Sequence, residues 1–387
     1  MSRLQLGGIL VVFCPASIVA GGLERGAPSP GILFKPGDVA EFKVSYSVPS
    51  LDGSVTVGAF GEQQSGNMLE STLRVGAGVK RQAGEHVSYA LVFEQPHWAR
   101  VNYDEAGERY PYRDSFAEFS EQRLTLWGKY QPSERFSFYG GPIVSSTKMS
   151  AGVKVTVPNP ADGSPLTVLD YSGAAPYKTA LGYAAGLAWE NQAKAQRLSL
   201  TYFSELEFDV KATETARGVN VATGEAYVIP ESDIDSSFKL PQSVTLSAQT
   251  GLNKKTLLFG SVRWADWSEY RIAPSVYEAV TGGALSALKN DTTTFSLGVG
   301  RKLNEQLSLF AVGSYEKAQG GLKGNLSPGD GSKSLALGGS YRMGQHELRV
   351  GLQHTLIGDA KTNATVGESS FTDNSGTGVG LTLTTKF

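Results

Sequence analysis

The sequence predicts an all-β protein, a transmembrane antiparallel β-barrel of about fourteen strands. Three observations carry that expectation. Apolar and polar residues alternate at period two almost to the C-terminus, the joins between alternating segments are short and long in turn, and the chain opens with an export-type leader.

The leader comes first. Arg3 is the only charge before a nearly all-apolar run from Leu4 to Val19, which ends at "PASIVA" before "GGLERG". A positive start, an apolar core and a small residue at Ala20 read as a secretory signal peptide over residues 1–20, cut after Ala20. Cys14 is the one cysteine and lies inside it, so the processed chain would have neither disulfides nor thiol chemistry. No later stretch holds 18 apolar residues, which argues against spanning helices. With 35 basic and 37 acidic residues in 387, the net charge of −2 gives no basic face for nucleic acid.

The strands follow in order. "AEFKVSYSV" places Phe42, Val44, Tyr46 and Val48 on one face, and "LRVGAGV" does the same with Leu73, Val75, Ala77 and Val79. "VSYALVF" (87–93), "LTLWGKY" (124–130) and "TLLFGSVRWADWSEY" (256–270) continue the pattern. Short joins fall at 81–85, 131–134, 191–195, 251–255, 303–306 and 343–345. Long ones fall near 49–67, 95–118, 155–176, 211–236, 271–290, 318–332 and 358–374, with a helical turn expected at "ALSALK" (284–289). Six short and seven long joins imply fourteen strands. Lipid offers no water to unpaired backbone groups, so a sheet that crosses it must close on itself. The apolar sets would then face lipid. "GVGLTLTTKF" ends an outward set on Phe387, an ending that resembles the signal read by the barrel-assembly machinery of the outer membrane.

The opposite parity gives the lumen. It carries Arg74, Arg123, Arg197, Arg263, Arg342 and Arg349, with Glu94, Glu205, Glu207, Glu269 and Glu316, and the aromatics Phe203, Phe259 and Phe310. Arginine beside aromatic walls suits a ligand with an apolar tail and an anionic head. Arg263 is the leading candidate because Phe259 and Trp267 share its face. Arg123, Arg349, Phe203 and Phe310 complete the candidate ligand-binding set. Gly182, Ala184, Gly186 and Ala188 leave inward space for a ligand or plug. His86, His97, His346 and His354 lack metal-ligand spacing and read as rim or interface residues. No G-x-S-x-G elbow sits at a strand-to-helix turn. The expectation is a binding protein, not an enzyme, with no catalytic residue, metal or cofactor.

Several segments resemble the FadL family of outer-membrane long-chain fatty acid transporters. They are "GGLERGAPSPGILFKPG" (21–37), "YAAGLAWE" (183–190) with "RLSLTYFSELEFDVKA" (197–212), "LPQSVTLSAQTGL" (240–252) and "SVRWADWSEY" (261–270). The resemblance implies a short N-terminal plug over 21–37, with Leu23, Ile32 and Phe34 packing inside a barrel of residues 38–387. It also implies capture of hydrophobic molecules at the outer loops and exit through a wall gap near residues 87–95. Family plugs are longer and carry Asn-Pro-Ala. Here that tripeptide, Asn159-Pro160-Ala161, falls in a long join and is not carried over. The expected function is passive uptake of long-chain fatty acids or related hydrophobic molecules across the bacterial outer membrane, with outer-membrane lipid around the barrel. The alternative is a general diffusion porin for small polar solutes.

Overall fold

A computed structural model describes residues 23–364 and 367–387. The expected leader, residues 1–20, lies outside the described residues. Fourteen antiparallel strands form a closed barrel. They are β1 (Val39–Ser50), β2 (Thr72–Gln82), β3 (Val87–Glu94 and Trp98–Asn102), β4 (Phe116–Tyr130), β5 (Phe136–Pro158), β6 (Pro165–Asn191) and β7 (Gln196–Phe203 and Leu206–Val219). The second half comprises β8 (Ala226–Leu240 and Ser243–Asn253), β9 (Thr256–Ala265), β10 (Thr292–Lys302), β11 (Leu307–Glu316), β12 (Ser332–Met343), β13 (His346–Ile357) and β14 (Ser375–Lys386). Each strand pairs with its neighbours in sequence. β14 closes the ring on β1 through Phe42↔Leu383, Val44↔Leu381 and Tyr46↔Val379.

The period-two pattern decides which face meets lipid. Leu297 on β10 is 63% exposed, whereas Phe259 on β9 is 3% exposed and turned inward. A soluble sheet would not leave a belt of leucine, valine, phenylalanine and tyrosine open around its whole circumference; a bilayer covers it. Phe387 is exposed at the short-turn rim, with the Arg81 guanidinium 5.3 Å from its ring centre.

Three local expectations are corrected. The joins at 155–176 and 211–236 are mostly strand. β5 has 23 residues and β6 has 27, while a tilted strand needs only about 9–11 to cross hydrocarbon. Roughly half of each therefore stands clear of the bilayer, where outward Lys154, Asp170 and Arg217 are solvated. Next, "ALSALK" is not helical. Ser286–Ala287 pairs with Arg271–Ile272, and the helix of that loop, α1, is Ser275–Thr281. Finally, Glu205 and Glu207 do not share the lumen. The break after Phe203 resets the alternation, so Leu206 and Phe208 are buried, Glu207 is exposed, and Glu205 pairs with Lys239 at 2.9 Å.

Candidate functional site

The lumen contains the N-terminal segment. Gly31–Phe34 forms one 3₁₀ turn whose four residues are all buried. Ile32, Leu33 and Phe34 join one apolar cluster with inward residues of the wall, among them Trp127, Tyr139, Ile143 and Phe203. Phe34 meets Tyr139 edge-on at 5.5 Å, and its faces carry the Arg197 guanidinium at 4.3 Å and the Lys129 ammonium at 4.6 Å. Cations over a desolvated ring hold it electrostatically as well as by packing. The small residues of β6 provide space, but neighbouring side chains use it: the Tyr139 ring crosses Gly186 and Leu206 covers Gly182.

Above this turn, the segment repairs a break in the wall. Gln95-Pro96-His97 interrupts β3, and its ladder with β2 stops at Ala77↔Phe93. The Arg25 amide donates to the Pro96 carbonyl (2.8 Å), and the Trp98 amide donates to the Leu23 carbonyl (2.9 Å). The Gln95 side-chain oxygen accepts from the Val75 amide on β2 at 3.0 Å. Proline has no N–H, so a strand carrying it cannot keep a full ladder. The plug supplies backbone partners where the ladder ends.

A charge cluster pins that contact. Arg263 grips Glu24 with two nitrogens at 3.0 and 2.7 Å, and its third donates to the Thr245 hydroxyl at 3.1 Å. Glu121 is fully buried and takes hydrogen bonds from His97, Arg123 and Ser145. Trp267 stands edge-on to His97 at 5.7 Å. Burial alone would raise the Glu24 carboxyl, but Arg263, with His97 and Arg123 behind it, outweighs burial and holds it below the usual carboxylate value.

Beyond the pin lies an apolar slot of about 70 Å³. Leu23 and Ala99 line it beside the β3 break, and Phe119, Met149, Tyr270 and Leu285 line it farther on. Leu285 and Ser286 also line a vestibule of about 1180 Å³ among the long loops, so slot and vestibule adjoin. Helix α1 contributes Tyr277 and Val280 to the vestibule and is held in place by Glu214. That buried carboxylate accepts from the Ser275 and Val276 amides (3.2 and 3.0 Å) and from the Tyr171 hydroxyl (3.3 Å). A carboxylate at a helix start satisfies amides that have no partner within the helix. Burial pushes the Tyr277 hydroxyl up to about 12, so it stays neutral in the vestibule.

The structure places the candidate residues named from sequence in separate parts of the barrel. Arg263, Trp267 and Arg123 come together around Glu24, His97 and Glu121, with both arginines engaged by carboxylates. Phe203 packs edge-on to Trp127 at 5.8 Å in the plug cluster. Phe259 and Phe310 form a separate apolar group with Val312 and Ala336, outside the slot's lining. Arg349 bonds Glu347 at 2.9 Å near the base of the plug. Leu23 lines the slot, while Ile32 and Phe34 are buried.

Sequence reasoning missed Glu24, Glu121 and His97. His97 is buried in the lumen and not at a rim; its place beside Pro96 was the available signal. The other three histidines contact the Gln131 carbonyl and the Thr385 and Thr377 hydroxyls.

A closed barrel with an apolar outer belt, an internal N-terminal segment and an apolar slot beside the loop vestibule define a channel of the outer-membrane type. Residues 112–387 match the profile of the outer membrane protein transport protein family (OMPP1/FadL/TodX), and the chain belongs to that family. No curated protein matches it. Among solved structures, a Pseudomonas aeruginosa FadL homologue aligns at TM-score 0.73 and 14% identity, covering 92% of each chain. The Pseudomonas putida toluene transporter TodX aligns at 0.62 and 14%, covering 92% of this chain and 91% of its own. The Ralstonia pickettii toluene transporter TbuX aligns at 0.60 and 12%, covering 95% and 96%. At these identities the likeness is one of fold.

Proposed function

We propose that the barrel takes up hydrophobic compounds passively, by capture in the vestibule, passage along the slot and sideways exit at the β3 break. The slot carries this reading: it adjoins the vestibule at Leu285 and reaches Leu23 and Ala99, where the plug and not β2 pairs with β3. Lateral release suits an apolar molecule, which then need not cross water. A general polar porin is poorly supported, since Ile32, Leu33 and Phe34 pack the lumen with apolar surface.

A long-chain fatty acid suits the path with its tail threading the slot, which at about 70 Å³ must widen to pass it, each buried methylene contributing about 0.8 kcal/mol. Its carboxylate would stay in the vestibule, beside Lys289. A second reading, a neutral monoaromatic hydrocarbon, is favoured by the lining of the slot. It holds no lysine or arginine, and Arg263 and Arg123 nearby are already bound by Glu24 and Glu121. The likeness to barrels described as toluene transporters supports the same class.

Proteoliposomes test this. Uptake of radiolabelled oleate or toluene without an ion gradient, with little conductance, is expected. Ala151→Trp, which narrows the slot, should slow uptake. Steady large conductance with no hydrophobic uptake would overturn the reading in favour of a porin. Competition between the two ligands ranks the substrate classes.

A further inference from the structure

The wall has a second weak seam, on a different side from the β3 break. Ladder pairs between β6 and β7 occur in two blocks. The lower block runs from Asn191↔Gln196 to Ala184↔Phe203, and the upper from Ala174↔Thr213 to Asp170↔Arg217. Among the described residues, no ladder pair joins 175–182 of β6 to 205–212 of β7. The interruption is eight residues long on each strand.

Sequence explains the seam locally. β6 carries Pro176, which has no amide hydrogen to offer, and its register against β5 slips beside it, between Thr147↔Lys178 and Met149↔Ala175. β7 resets its alternation at Ser204–Glu205. One irregularity on each strand, at opposite ends of the span, leaves the stretch between them without ladder pairs while both ends stay zipped.

Space lies on both sides of the seam. From inside, the apolar slot reaches Ala174, Ala175 and Ala212, at its upper end. From outside, a notch of about 310 Å³ sits at its lower end, lined by Leu181, Gly182, Tyr183, Tyr202 and Glu205. At the notch the Ser204 amide donates to the Tyr183 carbonyl and the Tyr183 amide donates to the Ser204 hydroxyl, both at 2.9 Å; beyond it Leu206 lies over Gly182, while Phe208 is held on its other side, stacked on its β8 ladder partner Phe238 at 5.0 Å. Phe238 in turn meets Phe119 of the slot edge-on at 6.0 Å. The exposed Tyr183 and its neighbour Tyr202, 5.8 Å apart, mark an aromatic girdle, the usual position of tyrosine at a headgroup boundary. The Glu205–Lys239 ion pair lies just beyond it.

On the reading of the slot as the path of uptake, we propose that the β6–β7 seam is a lateral port through which amphiphilic or apolar molecules already dissolved in the outer leaflet enter the slot. Separating the strands there costs side-chain contacts but no ladder bonds. A molecule lying at headgroup depth meets the notch with its polar end beside Glu205 and Lys239 and its apolar end toward Leu206 and Phe208. The vestibule then serves molecules arriving from water, and the seam serves those arriving from lipid.

The test uses the full-length barrel in liposomes with a diazirine-bearing stearate, supplied either from water on albumin or preloaded in the bilayer. After photolysis, adducts are mapped by mass spectrometry on two inward residues, Phe208 at the seam and Met149 in the slot. Preloaded probe should label both. Pro176→Val, which restores an amide donor on an exposed position, and Ala180→Trp, which fills the seam from inside, should each abolish labelling by preloaded probe. Labelling of Met149 by albumin-delivered probe should persist. Heat-modifiable migration on gels checks that each variant is folded; Pro176→Val decides the matter if Ala180→Trp is not. Unchanged labelling by preloaded probe in Pro176→Val, or its loss only in Ala99→Trp at the β3 break, would overturn the port. Absence of Met149 labelling under both deliveries would instead overturn the uptake reading.

Discussion

Releasing the plug from its pin is the perturbation with the clearest arithmetic. Arg263 and Glu24 form two charge-assisted hydrogen bonds at 3.0 and 2.7 Å, and their side chains are only 11% and 17% exposed. Bonds to charged groups contribute about 1.5–3 kcal/mol each. Glu24→Gln leaves one acceptor oxygen and an uncompensated guanidinium, so a loss of about 2–4 kcal/mol in plug seating is expected. That free energy corresponds to roughly 30- to 1000-fold in the opening equilibrium. The Arg25 and Trp98 amides report it directly, because each bridges the plug and β3. Hydrogen exchange in detergent micelles should accelerate at these two amides by that factor, while amides of β9–β12 hold their rates. Arg263→Ala alone should act similarly. The double variant should lose less than the sum of the two, because they share one interaction. Unchanged exchange at Arg25 and Trp98 in Glu24→Gln, or full additivity, would refute the assignment of the pin.

Three further outcomes follow from the same structure. The Glu24 carboxyl titrates below its ordinary value of 4.5, so its contribution is fully present above that pH and is lost as pH falls through the depressed value. The protection factor at Arg25, corrected for the intrinsic exchange rate at each pH, should therefore fall on acidification below about 4.5 in the native chain, with the step absent in Glu24→Gln. Leu297→Arg, on the lipid face, should destabilise the barrel by up to about 2–4 kcal/mol in urea-driven unfolding from bilayers. The neighbouring lumen change Ser296→Lys should cost much less; equal costs would invalidate the parity assignment. Gly298→Ala would set a methyl 2.3 Å from the Phe259 ring, so a loss of about 1–3 kcal/mol is expected, with partial recovery on adding Phe259→Leu. Lack of rescue would mean that the β10 backbone, and not the ring, resists the methyl.

The barrel was legible in the sequence because its physics is local. A strand in a bilayer shows lipid every second side chain, so Phe42–Val48 or Leu124–Tyr130 announces its environment without reference to any partner. Strand number could be read because joins at the two rims differ in length. The inward place of Ile32 and Phe34 was expected only from the family resemblance, because a single 3₁₀ turn carries no periodicity of its own.

What only the tertiary structure decided are the places where parity breaks and where distant charges meet. Pro96 signals an interruption of β3, but nothing local tells that Leu23 and Arg25 supply its backbone partners. Glu24 lies 239 positions from Arg263, and their pairing exists only because the barrel closes around the plug. The reset at Ser204–Glu205 turned Glu207 outward and Leu206 inward, a switch that alternation alone does not reveal. The unpaired span between β6 and β7 is likewise a property of two irregularities brought side by side. Period-two patterns are set by the solvent each residue meets, whereas ion pairs, slots and seams are set by which strands closure makes neighbours.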